Sequence, residues 1–220
     1  MKQTIEYGII GLGRFGTALA KSLANNHKEV LVIDNSESKV KQVRDEVSQA
    51  FVVDSLDKET LIAAGIQNCQ TVIVCIGQQV DKSILVTLNV IGLGVPRVIA
   101  KAVSEDQGFV LQKIGAEVVY PEKDMAKRLA QRLLFKRLTD FIELDDDFVI
   151  FELKLSEKLV GKRLEELALR QKFNLNIVAI KHLGSSMIDI QPDYVFQSGD
   201  EMYIIGRKKD VAKFESFLDR

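Results

Sequence analysis

Near the N terminus the chain reads Gly11-Leu12-Gly13-Arg14-Phe15-Gly16, a G-x-G-x-x-G. This spacing handles phosphate through backbone shape. The first glycine permits a tight turn, the second lets main-chain N–H groups reach a pyrophosphate at a helix N-terminus, and the third lets helix and strand approach closely. Asp34, with Asn35 beside it, follows at about 20 residues, where a carboxylate accepts hydrogen bonds from a ribose 2′-hydroxyl and repels a 2′-phosphate. Arg14 puts a full positive charge inside the loop. It either contacts a terminal phosphate or is a solvated first-turn arginine, a place where the helix dipole disfavours a cation that has no partner.

On an open α/β sheet, ligands lie beyond the carboxyl ends of the strands. The ends that offer contacts are Asp54 with Ser55, Ile76-Gly77-Gln78, and Lys101-Ala102. Asp54 either recognises an adenine amino group or, with Ser55, starts a helix over 56–64. Lys101 faces either phosphate or solvent. Acid and base equipment is absent from this neighbourhood: the only histidines are His27, in a loop, and His182, in the C-terminal part. No H-E-x-x-H, Cys-x-x-Cys or G-x-S-x-G occurs. A nucleotide site without chemistry suggests sensing. The competing class is an NAD-dependent oxidoreductase, favoured by the fingerprint and Asp34, disfavoured by the missing proton donor and a small second domain.

The elements that must position these residues follow from periodicity. Apolar runs at 5–10, 30–33, 49–53, 71–76, 97–101 and 117–120 alternate with helical patterns, the signature of βαβ units and a doubly wound parallel sheet. One helix runs from Arg14 through the fingerprint, and 36–47 carries Val40, Val43 and Val47 as a single buried stripe. After Pro121 the apolar residues Met125, Leu129, Leu133, Leu134, Leu138 and Ile142 predict one long amphipathic helix, whose stripe needs cover from the rest of the chain or another subunit. The acidic run at 145–147 ends it, which places the domain limit at 140/141. The remainder, 141–220, reads as a small α+β unit with strands at 148–155, 176–182, 187–190 and 201–205 and helices at 163–170 and 209–218.

Composition narrows the classes. Thirty Lys and Arg against 31 Asp and Glu argue against a nucleic-acid partner. The uncharged run 83–96 is interrupted by Asn89, Gly92, Gly94 and Pro96 and falls short of the roughly 17 to 25 apolar residues that a bilayer crossing takes. Glu6 interrupts any signal-peptide core. Cys69 and Cys75 are two thiols on either side of an apolar strand pattern, too few for a disulfide framework, so a cytoplasmic location is expected.

The fingerprint, the Pro121-Glu122-Lys123-Asp124 segment opening a long helix, and a closing domain with Asn176, Ile177 and a Gly199-Asp200 turn together resemble the KtrA/TrkA family over the whole chain. That resemblance implies an RCK N-terminal Rossmann domain over 1–140 with a crossover helix, and an RCK C-terminal domain over 141–220. It implies a cytosolic gating subunit of a bacterial potassium uptake system, peripheral to the inner face of the membrane. Its form would be a homodimer assembling into a ring, an octamer, docked under an integral membrane subunit. It implies ATP, ADP or NAD(H) in the Rossmann site, with Arg14 and Lys101 on phosphate, Asp34 on ribose, and Glu122 joining a divalent cation, Mg or Ca, to the phosphates at the dimer interface. Members from Gram-positive bacteria often bind cyclic di-AMP between two C-terminal domains. The matching positions are Leu164, Arg170, Asn176, Ile177 and Pro192; otherwise Leu164 and Ile177 are core, Arg170 caps a helix and Asn176 starts a strand.

Overall fold

The computed structural model describes residues 5–134 and 138–219 of the chain, which divides into two compact units, 1–125 and 126–220.

In the first unit strands and α-helices alternate: β1 (Tyr7–Ile10), α1 (Arg14–Asn25), β2 (Val30–Asp34), α2 (Glu37–Lys41), β3 (Gln49–Val52), α3 (Lys58–Ala63), β4 (Thr71–Val74), α4 (Val80–Gly92), β5 (Arg97–Lys101), α5 (Glu105–Lys113), β6 (Glu117–Val119) and the start of α6 (Pro121–Leu134), with one 3-10 turn at Ile66–Asn68 before β4. All six strands are parallel, in the order β3-β2-β1-β4-β5-β6. The expected doubly wound Rossmann-like sheet is therefore present, and its order reverses between β1 and β4. Alternate residues of β1 point to opposite faces, so Ile10 joins one apolar cluster with Val86 and Val90 of α4, and Ile9 joins the other with Ala20 of α1. Every residue of β2 is buried, as a strand covered on both faces requires.

The helix expected over 36–47 stops at Lys41. Val40 and Val43 keep their places in the core, but hydrogen bonds from Gln42 to Lys39 and from Val43 to Val40 close over three residues and turn the chain toward β3. β-Branched valines give little support to a longer helix there. The helix expected at 56–64 begins instead after Asp57, whose carboxylate accepts from the Thr60 N–H at 2.8 Å and whose pKa is held down to about 2 by Ser55 and Thr60.

The second unit holds β7 (Leu138–Glu143), β8 (Phe148–Lys154), α7 (Leu164–Leu167), α8 (Leu169–Phe173), β9 (Asn176–His182), β10 (Ser185–Met187), β11 (Glu201–Arg207) and α9 (Lys208–Asp219). Its antiparallel sheet runs β10-β9-β11-β8-β7. One sheet face, with Val149, Phe151, Leu153, Met202 and Ile204, packs on Val211, Phe214 and Leu218 of α9.

Three expectations fail here, the first being the strand at 187–190: β10 covers Ser185–Met187 and pairs with β9, so only Met187 of that range is strand. The long helix does not reach Ile142, because α6 ends at Leu134 and 138–143 is strand, with Phe141 opposite Phe151 and Ile142 opposite Ile150. Leu134, Leu138 and Ile142 fit a period of four, yet pairing with β8 and burial of Phe141 in the second core win. This strand crosses the expected limit at 140/141. The helix expected over 163–170 is likewise broken at Ala168, which adopts φ +46° between α7 and α8.

Buried polar groups in this unit close on one another. The Asp200 side chain is fully buried; it accepts from His182 Nδ1 at 2.7 Å, from the Tyr194 hydroxyl at 2.9 Å and from the Gln197 N–H at 2.9 Å.

Candidate functional site

The loop between β1 and α1 has the conformation its glycines predict. Gly11 has φ +99°, and a Cβ on Gly16 would collide with the carbonyl oxygen of Gly11, so neither position tolerates a side chain. Asp34 at the end of β2 fastens this loop from behind: its Oδ2 accepts from the Leu12 N–H at 2.6 Å and its Oδ1 from the Ser36 N–H at 2.8 Å. Lys39 stands 3.4 Å from both oxygens. The carboxylate is buried, but each oxygen retains accepting capacity on its open side.

A cavity of about 580 Å³ opens over this loop, at the end of the sheet where β1 and β4 part. Of the residues expected at the site, Gly11, Gly13, Arg14, Phe15, Asp34, Asn35, Ile76, Gly77, Gln78, Lys101 and Glu122 line it. Leu12 and Gly16 support the loop without lining it. Asp54, Ser55 and Ala102 are not brought in: Asp54 is exposed beyond β3, Ser55 bonds to Asp57, and Ala102 is buried among core residues. Lys39, Leu56, Cys75, Gln79 and Lys82 line the cavity unforeseen. Helical spacing marks which side of a helix is buried; it carries no signal for which polar residue of the first turn faces a crevice.

Lys101, buried at the end of β5, donates to Glu122 at 2.5 Å, and its ammonium lies 6.0 Å from the centre of the Phe15 ring. Hydrogen bonding from Lys101, assisted by the charge of Arg14, holds the Glu122 carboxyl below the usual carboxylate range. Burial pushes the Cys75 thiol up to about 12, so at neutral pH it is an inert wall of the cavity rather than a nucleophile. Neither histidine lines it: His27 sits exposed in the turn after α1, and His182 belongs to the Asp200 cluster. The cavity thus offers four cations, main-chain N–H groups and two carboxylates, Asp34 and Glu122, and no histidine lines it; groups of these types are chemically suited to phosphate and ribose.

Residues 7–121 match the TrkA-N domain and residues 148–219 the TrkA-C domain. The chain is 35% identical to the Ktr system potassium uptake protein A of Bacillus subtilis over 96% of each chain. The chain belongs to the KtrA/TrkA family. It is also 36% identical to Ktr system potassium uptake protein C of the same organism over 96% of each chain, and 35% identical to the Vibrio alginolyticus Ktr system potassium uptake protein A over 94% of each. Among solved structures the GsuK RCK domain superposes with a TM-score of 0.66 at 19% identity, covering all of this chain. The chain spans about half of that structure, 48% of its length. The NAD-bound GsuK channel gives a TM-score of 0.62 at 20% identity over 99% of this chain and 40% of that one. Both likenesses establish the RCK fold.

In this KtrA/TrkA chain the positions expected to meet a second ligand divide by burial. Leu164 and Ile177 pack against the second core, while Arg170, Asn176 and Pro192 are exposed. The Pro192 carbonyl accepts from the Glu165 N–H at 2.9 Å, which puts Pro192 next to Leu164, and Asn176 opens β9 opposite Ile205. Among the described residues no three His, Cys, Asp or Glu side chains gather to hold a metal, and Glu122 is joined to Lys101. No helix among the described residues is long and apolar enough to cross a membrane.

Proposed function

We propose that this chain is a cytosolic nucleotide-sensing gating subunit that regulates potassium transport through a separate membrane subunit, and is not an enzyme. The observation that carries the reading is the cavity at the β1/β4 parting, which has the fingerprint loop, Asp34 and several cations, in a chain of the KtrA/TrkA family. ATP, ADP or NAD(H) would occupy it, with phosphate on the glycine loop, Arg14 and Lys101, and ribose on Asp34. Asp54 and Ser55 have no part in this assignment. Domain roles follow the fold, with nucleotide binding in the Rossmann unit and α6 as the crossover.

Met125, Leu129, Leu133 and Leu134 of α6 are each more than half exposed. A second copy covering them would make the dimer from which a ring, an octamer by the family resemblance, assembles beneath the membrane subunit. Magnitudes favour such an assembly. A charged hydrogen bond contributes about 1.5 to 3 kcal/mol, whereas driving a two-state equilibrium from 1:99 to 99:1 takes about 5.5 kcal/mol of differential binding. One site falls short; several coupled sites suffice, so the ring switches sharply between ATP and ADP and an isolated dimer responds weakly. By the family resemblance Glu122, released from Lys101, would face a bridging Mg or Ca, and no step is assigned to that cation.

A second ligand, cyclic di-AMP, would sit at a two-fold pairing of second units, with Leu164, Ile177 and Pro192 against adenine, Asn176 on its edge and Arg170 on phosphate. It would inhibit uptake by holding one arrangement of the pair.

The test is equilibrium binding of ATP, ADP and NAD to the purified chain, with NADH turnover against common carbonyl substrates in parallel. Nucleotide binding without turnover is expected; turnover would overturn the reading in favour of the oxidoreductase.

A further inference from the structure

Four cations line the cavity, and the chain neutralises two of them. Lys39 lies 3.4 Å from Asp34 and Lys101 lies 2.5 Å from Glu122. Arg14 and Lys82, which also line it, make no ion pair among the described residues. Both sit in the first turn of a helix, α1 for Arg14 and α4 for Lys82, where the dipole disfavours positive charge. An anion bound between them would reverse that cost.

The helix starts themselves point the same way. Asp57 caps α3 through the Thr60 N–H at 2.8 Å, and Ser104 caps α5 through the Gln107 N–H at 3.2 Å. The two helices that follow β1 and β4, on either side of the parting, have Gly13 and Gln79 at the cap position and, like the short α2, no side-chain cap. Their cap residues thus supply no side-chain acceptor to the first N–H groups. Because α1 packs on one sheet face and α4 on the other, Arg14 and Lys82 approach the crevice from opposite sides.

We infer that Lys82 is a specificity-determining residue which, opposite Arg14, reads the phosphate beyond the diphosphate held by the glycine loop. This rests on the nucleotide reading above and extends it. A ligand cradled at α1 continues across Cys75, Ile76 and Gly77 toward α4. A nucleoside triphosphate places its last phosphate and added negative charge there, whereas a dinucleotide places a second ribose, from which a lysine gains little. Lys82 is half-buried, so solvent screening holds its effect near the lower end for a charge-assisted bond, about tenfold in affinity.

Calorimetric titration of the full-length chain with ATP, ADP and NAD tests this. Lys82→Ala should weaken ATP about tenfold and ADP and NAD less than threefold, with an unchanged melting temperature. Lys82→Arg should keep most of the preference for ATP, and the preference of the unmodified protein should shrink as salt rises. Equal losses for ATP and ADP, or no loss for either, would overturn the role of Lys82 while leaving the nucleotide site standing. Failure of the unmodified chain to bind any of the three would overturn the site and the inference together.

Discussion

Asp34 and Asp200 are both buried aspartates that accept backbone N–H groups, one in each unit, and their difference separates a site from a lock. Asp200 is closed: an imidazole, a phenol and a main-chain N–H occupy its two oxygens inside the second unit. Asp34 is open: two main-chain donors hold it in place, and Lys39, its one side-chain partner among the described residues, stands off at 3.4 Å at a cavity wall. Burial and hydrogen bonding alone do not identify a functional carboxylate. Accepting capacity left facing a cavity is what makes Asp34 the candidate of the two.

The largest effect that would sharpen this contrast is expected at Gly16. Gly16→Ala sets a methyl group against the Gly11 carbonyl, a backbone atom with little room to yield. Destabilisation of the first unit by about 3 kcal/mol and loss of measurable nucleotide binding are expected. Hydrogen exchange resolved by segment should show the second unit's protection intact.

Asp200→Ala should act in the opposite place. It strands His182, Tyr194 and the Gln197 N–H without an acceptor, so the second unit loses about 3 kcal/mol while nucleotide affinity stays within twofold. Asp34→Asn keeps the volume but weakens both the grip on Leu12 and the ribose contact. About tenfold weaker nucleotide binding is expected, corresponding to about 1.4 kcal/mol, with a smaller change in melting temperature. If Asp34→Asn cost stability and spared affinity, or Asp200→Ala did the reverse, the comparison would collapse.

The smallest effect is alkaline. Burial and donation to Asp200 raise the Tyr194 hydroxyl from its ordinary value of 10.0 to about 12. A raised pKa means that this contribution is complete below pH 10 and lost as pH rises through about 12. Urea midpoints of the second unit should therefore fall over that window, and Tyr194→Phe should flatten the fall while costing about 1 kcal/mol at neutral pH.

Much of this was legible in the sequence, and the reasons differ along the chain. Six parallel strands with both faces covered announce themselves as apolar runs, and the glycine spacing together with Asp34 locates the parting of the sheet. Lys39 and Lys82 stayed hidden because a polar helix face reads as solvated, and only the tertiary fold turns its first turn toward a crevice. Asp54 and Ser55 were plausible strand-end contacts, but Asp57 took the helix cap and left them outside. In the second unit apolar residues fit two periods at once. Pairing with β8 made 138–143 a strand, and the left-handed Ala168 split a helix that no glycine or proline marked.

The central claim is that nucleotide identity at the first unit sets transport through another polypeptide. Its direct test is ion flux in proteoliposomes containing this chain and a candidate membrane subunit, measured with ATP, ADP and NAD. Flux that differs between ATP and ADP, with the difference abolished by Arg14→Ala, is the predicted result. Equal flux under all three nucleotides, each shown to be bound, would contradict the account.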